Sequence, residues 1–337
     1  MTSIGAIFRP QLPPERLRDI ARLVDDAGLD ELWLWEDCFR QGGISSAAAV
    51  LAWTERVRVG VGLLPVPLRN VAVTAMEAAT LHRMFPGRAR IGVGHGVQDW
   101  MGQAGARVDS PVTLLREYTV ALRALLNGER VTVKGRYVRL DDVGLDWPPT
   151  GSGAAPAEVL VGAVGERTVR LSGEVADGTV LNESASPERV REVRRIVERE
   201  RAAAGRNGAR NGTRNGDGNR EGHGEGTGRR IGRSDGEGAD QGTRHGSATR
   251  PHQIVVYLFA ATGEGAAERL RGELIATGLD SVPGLGVAGD AETVATAVRR
   301  FADAGADSVV LLPTADEPDP EGFLRFVAED VRPLAAS

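Results

Sequence analysis

Residues 57–94 read VRVGVGLLPVPLRNVAVTAMEAATLHRMFPGRARIGVG, and this stretch decides the expected fold. It begins and ends with short apolar runs, at 57–65 and 89–94, which are typical of strands covered on both faces. The segment between the two runs is expected to be helical. The stretch therefore predicts a strand, a helix and a second strand parallel to the first.

Six further apolar runs extend this alternation to both ends of the chain, at 4–8, 32–35, 158–163, 178–182, 253–260 and 307–313. Helical stripes lie between the runs; Leu17, Ile20 and Val24, for example, share one helical face. Eight repeats of strand and helix are the plan of an α/β fold, the (β/α)8 TIM barrel. A doubly wound open sheet is the alternative. Two insertion segments are expected, a short hairpin within 131–149 and a loop at 281–292.

One segment has a different composition from the rest of the chain. Residues 205–250 are a low-complexity segment that consists mainly of Gly, Arg, Asn, Asp, Glu and Thr and contains no Phe, Tyr or Trp. Such a segment cannot bury enough apolar area to offset the entropy lost on ordering. The sequence therefore predicts one barrel domain over 1–337, interrupted by a disordered insertion at 205–250.

The overall composition excludes several classes of protein. The 337 residues carry a formal net charge of -5, which gives no reason to expect nucleic acid or an acidic membrane as a partner. The single cysteine, Cys38, cannot form an intramolecular disulfide. No secretory signal is recognised, and no apolar run approaches the roughly 20 residues that span a bilayer. The five histidines lack metal-ligand spacing, so no metal site is expected. A cytoplasmic location is predicted.

Candidate functional side chains follow two of the predicted strands. In a (β/α)8 barrel the active site lies where strands end and the following loops begin. Asp37 follows the second strand, where it could hydrogen-bond a cofactor ring, shuttle a proton or only cap the next loop. His95 follows the fourth strand and has either a functional or a structural role. Cys38 is expected to be a small packing residue, because no activating base adjoins it.

Glycines mark two places where a ligand could approach the backbone. Gly62 lies near the end of the third strand, where a flat ring could lie against it, or where it only makes room in the barrel. The residues at 162–165 precede a helix, whose free amides and dipole favour a phosphate. Arg167 could add positive charge there. An ordinary tight turn is the alternative at this second place.

Four segments in chain order resemble the luciferase-like monooxygenase superfamily, in the branch that uses coenzyme F420 and includes methylenetetrahydromethanopterin reductase. They are WLWEDCF (33–39), GVGLLPVPLRNVAVTAMEAATLHRMFPGRARIGVGHG (60–96), LLREYTVALRALLNGERVTVKGRYVRL (114–140) and VLVGAVGERTVRLSGEVADGTVLN (159–182). The resemblance covers essentially the whole chain except 205–250. It implies the same fold as the strand pattern, a luciferase-like barrel.

The resemblance also implies roles for individual residues. Asp37 matches a family aspartate beside the polar edge of the deazaflavin ring. Cys38 stands where many members carry histidine, which puts their proton-transfer chemistry in doubt here. Gly62 and Leu63 match a non-prolyl cis peptide that backs the ring.

Further matches concern the other walls of the cofactor site. His95 and Gly96 match positions that line the cofactor. Val97 stands where a sugar-phosphate-oxidising relative has glutamate, which argues against the same substrate. The residues that match the loop binding the cofactor phosphate are Gly162, Ala163, Val164 and Gly165.

The function implied by the resemblance is an F420-dependent oxidoreductase that moves a hydride between the deazaflavin and a small organic substrate. Asp37 or His95 would manage the accompanying proton. A reduced-FMN-dependent monooxygenase and a catalytically silent flavin-binding protein are the alternatives. Relatives are often dimers, so a homodimer is expected. Four arginines are candidates to bind an acidic cofactor tail: Arg9, Arg40, Arg69 and Arg167.

Overall fold

Eight parallel strands form a closed barrel in the computed structural model, which describes residues 2–150, 157–214, 250–282 and 284–335, with the backbone alone for 204–214. Each strand pairs with the next along the chain, and the last pairs with the first, so the sheet has no free edge. The closure confirms the (β/α)8 barrel and makes the open-sheet alternative wrong. The barrel strands are β1 Ser3–Phe8, β2 Glu31–Leu34, β3 Arg58–Pro65, β4 Ala89–Gly94, β7 Val159–Gly162, β8 Gly178–Leu181, β9 Gln253–Ala261 and β11 Ser308–Pro313.

Helices cover the outside of the barrel between successive strands. Two 3-10 turns, Pro14–Arg16 and Val66–Leu68, and a π-helical turn, Val327–Val331, adjoin them. The helices are α1 Leu17–Asp26, α2 Gly43–Trp53, α3 Val71–Met84, α4 Gln98–Gln103, α5 Pro111–Leu126, α6 Glu166–Val175, α7 Pro187–Arg214, α8 Ala266–Ala276, α9 Ala291–Asp303, α10 Pro320–Phe326 and α11 Arg332–Ala335. Among the described residues, no helix combines the length and the apolar character needed to cross a membrane.

The apolar side chains divide into two layers because successive strand residues point to opposite faces. The larger layer packs between the outer face of the sheet and the helices. The smaller layer fills the inside of the barrel, where Trp33, Phe259 and Val310 are almost completely buried. Each strand is therefore covered on both faces, which explains why the runs are apolar at consecutive positions.

The sequence predicts one of the two insertion segments correctly and the other only in part. The hairpin is confirmed: β5 Val131–Lys134 pairs antiparallel with β6 Arg139–Val143. The 281–292 segment is more than a loop, because it contains a short strand, β10 Gly286–Ala288, parallel to β9 outside the barrel.

The predicted disordered insertion begins too early. Helix α7 continues to Arg214, so the backbone of 205–214 is helical. Once a helix is nucleated, each added residue costs little and gains one hydrogen bond, so α7 can continue into a segment whose composition disfavours an independent helix. Residues 215–249 lie outside the described part of the chain.

A buried charged network closes the end of the barrel at which the strands begin. The Glu31 carboxylate accepts hydrogen bonds from the Arg90 guanidinium at 2.7 Å, from the Ser308 hydroxyl at 3.0 Å and from the Trp33 indole at 2.7 Å. Arg58 adds an ion pair at 2.8 Å. The network joins the starts of four strands, so it holds their register at this end.

A buried histidine on α3 should make the barrel sensitive to acid. Burial lowers the pKa of His82 from 6.5 to about 4, and its Nε2 has no hydrogen-bond partner among the described residues. The unfolded chain therefore binds one more proton than the native state between pH 6.5 and 4, and stability falls as the pH drops through this window. The total loss is about 3 kcal/mol.

The variant His82→Leu has no imidazole at this position that takes up a proton on unfolding, so it should lack this loss of stability in acid. Urea unfolding of both proteins at pH 7, 5.5 and 4 checks the prediction, since only the wild type should lose the extra stability. His252, whose pKa burial lowers to about 3, contributes equally in both proteins. Parallel pH dependence of the two proteins would contradict the prediction.

Candidate active site

A cavity of about 500 Å³ opens at the end of the barrel at which the strands finish. It lies opposite the charged network at Glu31. All the site residues predicted from the sequence line this one cavity: Asp37, Gly62, Leu63, His95, Gly96, Gly162, Ala163, Val164 and Gly165.

The side chain of Leu63 forms one wall of the cavity and rests on glycines of the neighbouring strands. A Cβ at Gly92 or Gly94 of β4 would lie within 2.8 Å and 2.7 Å of the Leu63 side chain, and one at Gly162 would overlap it. These glycines therefore leave the space that Leu63 fills. The peptide bond between Gly62 and Leu63 is cis, as the family resemblance implied.

Tyr257 supports the same wall from inside the barrel. Its hydroxyl donates a hydrogen bond of 3.4 Å to the carbonyl oxygen of Gly62, and a Cβ at Gly62 would overlap that hydroxyl. The Tyr257 ring lies 5.6 Å from the ring of Trp35, which also lines the cavity. Gly62 therefore makes room for an aromatic residue from β9.

Two acidic residues after β2 have different surroundings. Glu36 is neutralised, because Arg69 donates to both of its oxygens at 2.9 Å and 2.6 Å. Asp37 has no such partner among the described residues. Burial raises the pKa of Asp37, although Arg40 and Arg9 lower it in part. The Asp37 carboxylate is thus a stronger base than a surface aspartate and accepts a proton at a higher pH.

His95 faces the cavity in its neutral form. Burial lowers the pKa of the imidazole, and its Nε2 atom is buried without a hydrogen-bond partner in the described chain. A buried polar atom without a partner is costly, so a ligand that hydrogen-bonds to His95 would gain from satisfying it.

Cys38 does not line the cavity. Burial raises the pKa of its thiol, and the nearby carboxylates of Glu36 and Asp37 raise it further. The thiol is therefore protonated at neutral pH and poorly nucleophilic, which agrees with the packing role expected from the sequence.

The N-terminus of α6 opens on the other side of the cavity. Gly165 is the N-cap and offers no side-chain cap, while the first intrahelical hydrogen bond comes from Thr168. The amides of Glu166 and Arg167 therefore remain available for an anion. Arg189 donates a hydrogen bond of 2.9 Å to the carbonyl oxygen of Val164 at this turn, and its charge is paired with Glu192.

The four candidate arginines have separate surroundings. Arg9 is bound to Glu273 and to the carbonyl oxygen of Pro313. Arg69 is held by Glu36 and Glu77, and Arg40 donates to a backbone carbonyl. Arg167 is exposed and forms no salt bridge with a described residue. Arg40 likewise forms no salt bridge with a described residue, and its charge lowers the pKa of Asp37, which lines the cavity.

The sequence analysis missed several residues that line the cavity. The most informative is Glu183, which follows β8 by two positions, where the strand-end rule would have found it. The same rule would have found Trp35 and Asn182, which directly follow β2 and β8. Trp100 and Tyr257 come from positions that no local motif marks.

Comparison with known proteins agrees with this architecture. A sequence model of the family described as luciferase-like monooxygenase matches residues 3–213. The chain belongs to this family. The family of the resemblance is therefore confirmed, on the segment that contains the barrel strands from β1 to β8.

Two curated proteins are similar in sequence to a shorter part of the chain. The 5,10-methylenetetrahydromethanopterin reductase of Methanolobus tindarius is 30% identical over 183 residues, 54% of each chain. The F420-dependent glucose-6-phosphate dehydrogenase of Nakamurella multipartita is 31% identical over 190 residues, 52% of this chain and 55% of the relative. The chain thus spans about half the length of these curated relatives.

Solved structures share the complete fold. The coenzyme F420-dependent tetrahydromethanopterin reductase of Methanopyrus kandleri superimposes with a TM-score of 0.71 at 19% identity, over 98% of this chain and 99% of that one. An F420-dependent secondary alcohol dehydrogenase, solved with an F420–acetone adduct, gives a TM-score of 0.73 at 19% identity over 99% of both chains. At this identity the likeness concerns the fold alone.

Proposed function

We propose that the protein is an F420-dependent oxidoreductase that transfers a hydride between the deazaflavin and a small organic substrate. The observation that carries the proposal is one cavity with a flat apolar wall, an unpartnered carboxyl group and a helix N-terminus on separate sides. The name of one curated relative, the F420-dependent glucose-6-phosphate dehydrogenase, supports the same cofactor.

The residues of the cavity fit such a cofactor. Leu63 would back the ring, and Gly162 to Gly165 with the α6 amides would bind the phosphate. Exposed Arg167 would approach the acidic tail. When bound, the deazaflavin supplies the hydride chemistry, and the chain contributes binding and orientation.

Asp37 and His95 would manage the proton that accompanies the hydride. Burial raises the pKa of Asp37 towards the neutral range, whereas it lowers the pKa of His95 below its ordinary value of 6.5, so the imidazole is neutral at neutral pH. General acids and bases work best when their pKa lies near the operating pH. The apolar and aromatic side chains that line the cavity would limit the access of water to these groups once a cofactor is bound.

The variant Asp37→Asn tests the proton role. We expect its turnover to fall by about a hundredfold, because an amide cannot exchange a proton with the reacting groups. The measurement is a steady-state comparison of kcat and KM with those of the wild type. Asp142→Asn is the control, since Asp142 lies on the exposed hairpin and pairs only with Arg130. Unchanged kcat in Asp37→Asn would reject the role.

A fluorescence titration of the purified protein with oxidised F420 and with FMN tests the cofactor. Tight F420 binding with weak FMN binding is expected. The reverse preference would favour the reduced-FMN monooxygenase, and oxygen consumption would then be assayed. Binding of neither compound would favour a catalytically silent barrel.

A homodimer is proposed as the working assembly. Three apolar side chains on α3, Val73, Met76 and Met84, are more than half exposed, which is unusual for a helix that faces only water. The chain has a mass of 35.7 kDa, and multi-angle light scattering should give twice this value. The cytoplasmic location stays a prediction from the sequence.

A further inference from the structure

The charged groups of the cavity are unevenly distributed. The described residues that line it include three acidic side chains, Glu36, Asp37 and Glu183, but no lysine or arginine. Glu36 is neutralised by Arg69. Asp37 and Glu183 form no salt bridge with any described residue, so their carboxyl groups face the cavity without a bound cation.

Arg40 lowers the pKa of Asp37 by its positive charge. Arg9 acts on both Asp37 and Glu183, but its charge is already compensated. Its guanidinium donates to one oxygen of Glu273 through two nitrogens, at 3.1 Å and 3.0 Å, and a third contact is to the carbonyl of Pro313. Arg9 and Glu273 are both about nine-tenths buried, so the pair is fixed. With Asp37 and Glu183 ionised, this part of the cavity therefore carries a negative net charge.

Burial raises the pKa of Glu183, and the neighbouring Glu273 and Asp37 raise it further, while its own backbone amide and Arg9 lower it in part. A positively charged group beside Glu183 would stabilise the ionised carboxylate and gain a charge-assisted hydrogen bond in a partly desolvated place. A negatively charged group would be repelled there.

The remaining walls near these carboxyl groups suit a cation as well. Trp35, Trp100 and Tyr257 line the same cavity, and the faces of aromatic rings attract cations. The α6 N-terminus follows the neighbouring strand β7 and favours anions instead. The cavity thus offers one position for an anion and another for a cation.

We propose that Glu183, together with Asp37, determines substrate specificity by binding a protonated nitrogen, so that the substrate is an organic amine or iminium rather than a phosphate ester or carboxylate. This inference rests on the proposed function, because it places the substrate in the part of the cavity that the bound cofactor does not fill. It separates this chain from relatives named for a sugar phosphate.

Three probes of nearly equal size test the charge preference: 2-naphthylmethylamine, 2-naphthylmethanol and 2-naphthoate. Equilibrium dialysis measures their binding to the F420-saturated protein and to the protein without cofactor. We expect the amine to bind at least about tenfold more tightly than the carboxylate, with the alcohol between them. In Glu183→Gln the amine should lose about tenfold while the alcohol is unchanged.

Glu188→Gln is the matched control, because Glu188 is an exposed glutamate of α7 that pairs with Arg191. It should leave all three affinities unchanged. Equal binding of the amine and the carboxylate, or an unchanged ratio in Glu183→Gln, would overturn the inference. Failure of F420 to bind, with the charge preference intact, would instead overturn the proposed cofactor, so the two failures are distinguishable.

Discussion

Replacing Glu31 with glutamine is expected to lower the free energy of unfolding by about 3–5 kcal/mol. Glu31 is completely buried and Arg90 is 5% exposed, so removal of the carboxylate charge leaves a buried guanidinium without compensation. The amide would also direct its NH2 group at another donor, because the Trp33 indole donates to one carboxylate oxygen while Arg90 and Ser308 donate to the other. Urea unfolding followed by circular dichroism gives the difference.

The control variant is Glu174→Gln, which removes a carboxylate from an equally close but exposed pair. Arg116 binds Glu174 through two contacts, at 2.5 Å and 2.6 Å, and both side chains are more than two-fifths exposed. Exposed pairs contribute at most about 1 kcal/mol, so this variant should remain close to the wild type. A loss of less than 1 kcal/mol in Glu31→Gln would show that the network does not hold the base of the barrel.

The strand pattern was sufficient to predict the barrel because the information is local. Each run such as 253–260 is apolar at consecutive positions, and the chain order of the runs alone fixes a parallel arrangement. The strand-end rule then brought Asp37 and His95 to one cavity from positions 58 residues apart, since all strands of a barrel finish at the same end.

The sequence could not show which residues from distant parts of the chain contact each other. Gly162 was expected near a phosphate, but nothing local to it indicates that its missing side chain makes room for Leu63 from another strand. Likewise, Tyr257 reads as one more apolar residue of a buried run, although its hydroxyl reaches Gly62. Such pairs depend on barrel closure and register, which periodicity does not specify.

Serine residues that precede helix starts do not all cap the helix in the way that their residue type suggests. Helix α5 begins at Pro111, yet the side chain of the preceding Ser110 caps no backbone amide and its hydroxyl bonds to Thr113 instead. Ser186 does accept from a backbone amide, that of Arg189, at 3.3 Å. Proline therefore determines the start of α5 by its fixed φ angle.

Adding one methyl group at Gly162 is expected to weaken F420 binding by about tenfold to a hundredfold, the equivalent of the 1–3 kcal/mol that overpacking costs. The new Cβ would overlap a terminal methyl of Leu63. Leu63 already fills the space left by Gly92 and Gly94 of β4, so its side chain can move only towards the cavity. There it would occupy the wall against which the ring is proposed to lie.

Fluorescence titration of Gly162→Ala with F420 measures this loss, and thermal unfolding separates it from a loss of stability. The double variant Gly162→Ala with Leu63→Ala should recover part of the affinity lost in the single variant, because the shortened side chain no longer meets the added methyl. Gly272→Ala is the control, since a Cβ at this position of α8 meets no atom within 4 Å. Wild-type affinity in Gly162→Ala would mean that Leu63 does not back the cofactor, because only a wall in contact with the ring transmits the displacement to binding.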